Sequence, residues 1–148
     1  MRQFNLFGKM KKTQTGWVFF VVVAIIIGVV SFQSPDLSAT IILYGVSILL
    51  LMLFYKLTIT ITDEFISFSF GIGLIQRKYR LEDVQSCKSK KYFPFGWGIR
   101  WRPGVIIYNV SGNKAIELSL KNKKRKVWIG TDDPEELADY INKKLMMK

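Results

Sequence analysis

The sequence predicts an α+β membrane protein: a two-helix transmembrane hairpin followed by a seven-stranded β sandwich or barrel that a C-terminal helix closes. Three observations predict it. Uncharged apolar runs dominate the first third of the 148 residues. Beyond them, apolar and polar residues alternate with a period of two. The C-terminal residues switch to helical spacing behind a proline. The chain therefore divides into a basic N-terminus over 1–12, the hairpin over 13–55 and a β-rich domain over 56–148.

The first uncharged run covers 23 residues, Thr13 through Pro35, which as a helix reaches roughly 30 Å or more, the thickness of a bilayer core. The second covers 19 residues, Leu37 through Tyr55, or roughly 28 Å. Pro35 and Asp36 suit a turn between them, with Ser38 capping the second helix. Arg2, Lys9, Lys11 and Lys12 precede the first helix and Lys56 follows the second, so the positive-inside rule predicts a two-pass protein with both termini cytoplasmic. A cleaved signal peptide fits poorly, because the apolar stretch is too long and Val30–Ser34 offers no small-x-small site. Neither run contains Asp, Glu, Lys or Arg, so nothing marks a transport route or proton relay. Ala24 with Gly28, and Gly45 with Ser47, would let helices approach closely, which packing within the hairpin explains.

Lys56–Thr62 and Phe65–Phe70 alternate as half-buried strands, the second placing Ile66, Phe68 and Phe70 on one face. With Ile75–Leu81 they form an antiparallel meander. Leu81–Val84 reads as a turn or helical turn, and Gln85–Lys90 as a weak strand. Tyr92–Gly104, crowded with aromatics, glycines and prolines, reads as a structured loop or irregular strand. Further strands are expected at Val105–Val110, Ala115–Leu120 and Arg125–Ile129. Asp133 then caps a helix with Pro134 at its first position and Glu136 at capping-box spacing, and Leu137, Tyr140, Ile141 and Leu145 share one face.

The residue inventory excludes several chemistries. A single cysteine, Cys87, forbids an intramolecular disulfide, and the absence of histidine removes Cys/His zinc sites and triads that need an imidazole base. Gly71-x-Gly73 and Gly96-x-Gly98 lack the setting of a dinucleotide site. The carboxylates of Asp132, Asp133, Glu135 and Glu136 are explained by helix capping and the dipole. No cofactor, metal or enzymatic activity is expected. The net charge of +11 favours anionic surroundings, but its scattered placement forms no nucleic-acid docking motif.

Four stretches, Leu81–Val84, Phe95–Arg100, Tyr108–Gly112 and Ile129–Leu137, resemble the small bacterial membrane-anchored proteins that carry a PH-like (pleckstrin-homology) domain. The resemblance implies that fold and a cytoplasmic face on the bacterial inner membrane. It implies no biochemical activity. Two binding regions are expected from the residues themselves. Trp97, Arg100, Trp101 and Arg102 suit a protein partner, since tryptophan and arginine dominate interface energetics and arginine pairs with carboxylate or phosphate, although Trp97 and Ile99 also suit a core. Lys121, Lys123, Lys124, Arg125 and Lys126 suit anionic lipid on a hairpin tip, at about 1 kcal/mol per basic residue, although solvated turn lysines are common. Membrane lipid and a second protein are thus the expected partners of a binding or scaffold module. An accessory subunit working through the helices is the alternative.

Overall fold

The computed structural model describes residues 9–33, 36–93 and 97–147, together with the backbone of 4–5. Arg2 of the basic N-terminus, Ser34 and Pro35 of the connector, and Phe95 and Gly96 of the PH-like stretch lie outside the described residues.

The chain starts with two strands, β1 (Phe4–Asn5) and β2 (Lys9–Thr15), that precede the helices α1 (Trp17–Gln33) and α2 (Leu37–Phe54). Three strands follow, β3 (Lys56–Ile61), β4 (Phe65–Phe70) and β5 (Ile75–Arg80), then a 3-10 turn at Leu81–Asp83. The remaining strands are β6 (Val84–Lys91), β7 (Gly98–Arg102), β8 (Val105–Asn109), β9 (Lys114–Leu120) and β10 (Lys126–Gly130), and α3 (Pro134–Met146) ends the chain. They build two five-stranded sheets, ordered β1-β2-β3-β4-β5 and β6-β9-β10-β8-β7. Every described pairing is antiparallel except β8 with β10.

The predicted fold class requires two corrections. Among the described residues only α2 is long and apolar enough to cross a membrane; α1, at 17 residues, is a shorter apolar helix. The physical reason is that Thr13, Gln14 and Thr15, which the uncharged run offered to a first span, are drawn into β2, where they pair with Thr58, Leu57 and Lys56. The two-helix transmembrane hairpin, and with it the two-pass topology, is not what the structure supports. The second correction concerns the seven-stranded PH-like sandwich. The N-terminal segment supplies extra strands to the first sheet, Gly98–Arg102 forms a regular edge strand, and each sheet has five strands.

The period-two patterns set the core. Leu57, Ile59 and Ile61 on β3 and Ile66, Phe68 and Phe70 on β4 are buried and face Tyr108, Ile116, Leu118, Val127 and Ile129 of the second sheet in one apolar cluster. Phe68 and Tyr108 meet across it with ring centroids 4.6 Å apart. Each such large apolar side chain contributes about 1.5–3 kcal/mol when fully buried. Leu137, Ala138 and Ile141 of α3 complete the cluster.

The caps differ from expectation in detail. Asp36, not Ser38, is the N-cap of α2, its carboxylate accepting from the Ser38 amide at 2.9 Å. Asp133 occupies the N-cap position of α3 ahead of Pro134, but its side chain does not cap. Lys12 from β2 donates to Asp133 Oδ2 at 2.8 Å and to Glu136 Oε2 at 2.7 Å, so the cation holds these carboxylates away from the helix amides and ties the N-terminal strand to the C-terminal helix.

Candidate functional site

Two features stand out above the core: the root of an apolar arm and the outer face of the second sheet. The arm is rooted where β2 and β3 adjoin. Gly16 N–H donates to Tyr55 C=O at 2.7 Å, and Ser111 Oγ donates to Thr15 C=O at 2.8 Å. Phe54 stacks on Phe19 and meets the edge of Phe70. Away from this root the side chains of α1 and α2 are largely exposed, Val23 and Ser47 being the buried ones among the described residues. Helices that are apolar all round yet exposed need an apolar surrounding. Among the described residues one helix, α2, meets the length and hydropathy of a membrane span.

Alternation along the second sheet places Glu117, Trp128, Ile107 and Arg100 in one row across β9, β10, β8 and β7, since each is the register partner of the next. Glu117 is buried and accepts from Lys126 Nζ at 2.8 Å and from Trp128 Nε1 at 2.7 Å. Burial pushes its carboxyl pKa up, but the hydrogen bonds from Lys126 and Trp128 and the charges of Lys126 and Lys90 outweigh burial and hold it below the ordinary value. The Trp128 ring packs against Tyr92 at 5.5 Å, with the Lys90 ammonium 5.7 Å from its centroid.

At the other end of the row, Arg100 Nη2 donates to Asn109 Oδ1 at 3.2 Å and the guanidinium lies 5.9 Å from the Tyr92 centroid. Arg100 Nε and Nη1, Asn109 Nδ2, the Tyr92 hydroxyl and Trp97 Nε1 are buried and have no hydrogen-bond partner among the described residues. Burial lowers the Arg100 pKa and raises that of Tyr92, against the opposing pull of Arg100 and Asn109. These two groups lie near enough to influence the hydroxyl while falling short of hydrogen-bond geometry. A buried donor without an acceptor costs about 1–3 kcal/mol, so a cluster of them favours a group that brings several acceptor oxygens. A carboxylate or a phosphate has that chemistry.

The structure does not gather the four predicted partner-binding residues at one point. Arg100 and Arg102 share a face of β7, Trp101 projects from the opposite face and is 71% exposed, and Trp97 precedes the strand, half-buried. Tyr92, Asn109, Glu117 and Trp128 complete the cluster, and sequence reasoning missed all four. Their neighbourhood depends on the parallel β8–β10 pairing, for which the sequence gives no local signal.

The basic turn lies elsewhere. Lys126 and Arg102 pair in register with Val105 at the start of β8, whereas the arm root adjoins the end of β8, where a Cβ on Gly16 would lie 3.2 Å from that of Val110. Four strand steps of about 3.3 Å separate the two levels. Lys121, Lys123, Lys124 and Arg125 are exposed at the end of the sandwich away from the arm. Lys126 is engaged by Glu117, and Lys123 lies 5.8 Å from the Tyr79 ring.

Among the described residues, no group of three or more His, Cys, Asp or Glu side chains is placed to hold a metal ion. No family model matches the chain and no curated protein matches it, so these comparisons identify neither a PH-like domain nor a bacterial source.

Proposed function

We propose that this protein is a membrane-tethered binding module, whose β sandwich presents the Arg100 cluster to an acidic group on a partner protein. The observation that carries the reading is the cluster of buried donors around Arg100 that have no acceptor among the described residues, set on a sheet whose strand ends adjoin the root of an exposed apolar arm. The excess of Lys and Arg outside the apolar segments supports a cytoplasmic placement of the sandwich. The resembling stretches alone support kinship with bacterial membrane-anchored PH-like proteins and an inner-membrane location. Lipid contact in this reading belongs to the arm, because the Lys121–Lys126 turn sits at the far end of the sandwich. No catalytic role and no nucleic-acid partner form part of the proposal.

Crosslinking in native membranes followed by affinity purification tests this. Arg100→Ala is expected to lose a partner that the intact protein captures, and Arg100→Lys to recover it only weakly, because an ammonium keeps the charge but not the planar fork. Trp101→Ala on the opposite face serves as the comparison. An unchanged partner set in a correctly folded Arg100→Ala protein overturns the reading.

One observation favours a second reading, an accessory subunit of a larger membrane complex acting through the arm. A Cβ added at Gly28 or Gly45 would meet nothing within 4 Å, so neither glycine is needed for α1 to approach α2. Both leave room for a helix from another chain. Replacing the arm's outward residues while keeping its root separates the readings, since recruitment through Arg100 survives that change and subunit packing does not.

A further inference from the structure

The β4–β5 turn, residues 71–74, is built unlike an ordinary hairpin tip. Turns that face water carry polar residues. Here the two non-glycine positions are Ile72, 55% exposed, and Leu74, 71% exposed. Gly71 and Gly73 both adopt positive φ, +50° and +95°, which folds the turn back against the arm. Ile72 N–H donates to Met52 C=O of α2 at 3.3 Å, and Gly71 N–H donates to Lys56 C=O at 2.8 Å. The turn is therefore fastened to the last turn of the candidate span.

The length of α2 sets the level of that contact. Its 18 residues extend roughly 27 Å, slightly less than the bilayer core of about 30 Å, so none of the helix can stand clear of the hydrocarbon if it is to span. Met52 lies inside the end of the helix, two residues before Phe54. A turn hydrogen-bonded to Met52 is carried to the hydrocarbon boundary with it. The residues around the root suit that boundary: Trp17 is exposed at the start of α1, and Lys56 Nζ lies 5.0 Å from the centroid of the Tyr55 ring, the aromatic and basic pairing typical of a membrane interface.

We propose that the 71–74 turn is a second membrane contact, which inserts Ile72 and Leu74 into the interfacial layer of a phospholipid bilayer beside α2. The occupant is lipid, because the two apolar side chains continue the apolar surface of a helix suited to nothing but lipid or protein, at the depth where acyl chains meet headgroups. The contact fixes the tilt of the sandwich: the tip of the first sheet beside the arm is pressed to the membrane, and the Lys121–Arg125 turn is turned away from it. This inference rests on the reading that α2 lies in the bilayer.

Site-directed spin labelling of the full chain in vesicles of mixed zwitterionic and anionic phospholipid tests it. Single cysteines replace Leu74, Ile72, the exposed Leu49 of α2 and Lys123 of the remote turn, one at a time. The native thiol does not compete, being buried with its pKa pushed up to about 12. The ratio of accessibility to oxygen over a water-soluble nickel complex is expected to be several-fold higher at 72, 74 and 49 than at 123. A lipid-like ratio at 49 with water-like ratios at 72 and 74 overturns the turn contact and leaves the tether standing. A water-like ratio at 49 overturns the tether and the turn contact together.

Discussion

Substituting Gly71 by alanine probes the docking of the turn on the arm with a magnitude that the structure supplies. The new Cβ would lie 2.1 Å from the Met52 carbonyl oxygen, 2.5 Å from that of Leu53 and 2.7 Å from the Leu53 carbonyl carbon. All three are backbone atoms at the end of a helix, so no side chain can swing aside. An alanine at φ +50° costs about 1–2 kcal/mol in backbone conformation, and relieving an overlap with fixed atoms costs about 1–3 kcal/mol more. The sum, about 2–5 kcal/mol, is a large share of the 5–15 kcal/mol typical of a domain. Gly73→Ala isolates the first contribution, because φ there is +95° while nothing lies within 4 Å of the added carbon. Denaturant unfolding in detergent micelles, followed by tryptophan fluorescence, should show Gly71→Ala destabilised well beyond Gly73→Ala. Equal losses, within about 0.5 kcal/mol, would refute the claim that the turn is packed against α2.

Two further expectations concern the second sheet. Glu117→Gln removes the carboxylate that binds Lys126 and Trp128 and should cost about 1–3 kcal/mol at neutral pH. Because the folded Glu117 pKa is lowered, its contribution is present above the ordinary carboxylate range and is lost as pH falls through the folded value. Thermal unfolding should therefore show the wild-type advantage over Glu117→Gln shrinking as the solution is taken from neutral to strongly acidic pH. Asn142 Nδ2 donates to Cys87 C=O at 2.7 Å while its Oδ1 accepts from Cys87 N–H at 3.0 Å, so a side-chain amide covers the open edge of β6. Asn142→Ala should cost about 2–4 kcal/mol by unpairing both groups, and hydrogen exchange at the Cys87 amide should accelerate selectively.

The local periodicities were enough to place most elements after Lys56. β3, β4 and β5, the 3-10 turn, β6, β8, β9, β10 and α3 all fall within a residue or two of the expected bounds, because alternation and helix spacing are properties of adjacent residues. The apolar character of residues 17–33 and 37–54 was equally plain. What the sequence could not settle was the division of the uncharged stretch around Thr13–Gly16 between sheet and helix. Those polar, uncharged residues suit either state locally, and only pairing with β3 decides it. That decision shortens α1 below a span and turns the N-terminus into a strand of the sandwich.

The candidate site follows the same division. Arg100 was legible as a recognition residue from its own chemistry and its glycine and tryptophan neighbours, but Tyr92, Asn109, Glu117 and Trp128 reach it or its row only through sheet order. The basic cluster at Lys121–Lys126 was equally visible as composition, yet its distance from the arm is set by strand register. Neighbouring residues alone set the apolar segments, the alternating strands, the closing helix and the chemistries excluded for want of histidine and a second cysteine. Which helix can span, which donors are buried together and which end of the sandwich faces the arm emerge only on folding, because each depends on contacts between residues far apart along the chain, where local pattern carries no information.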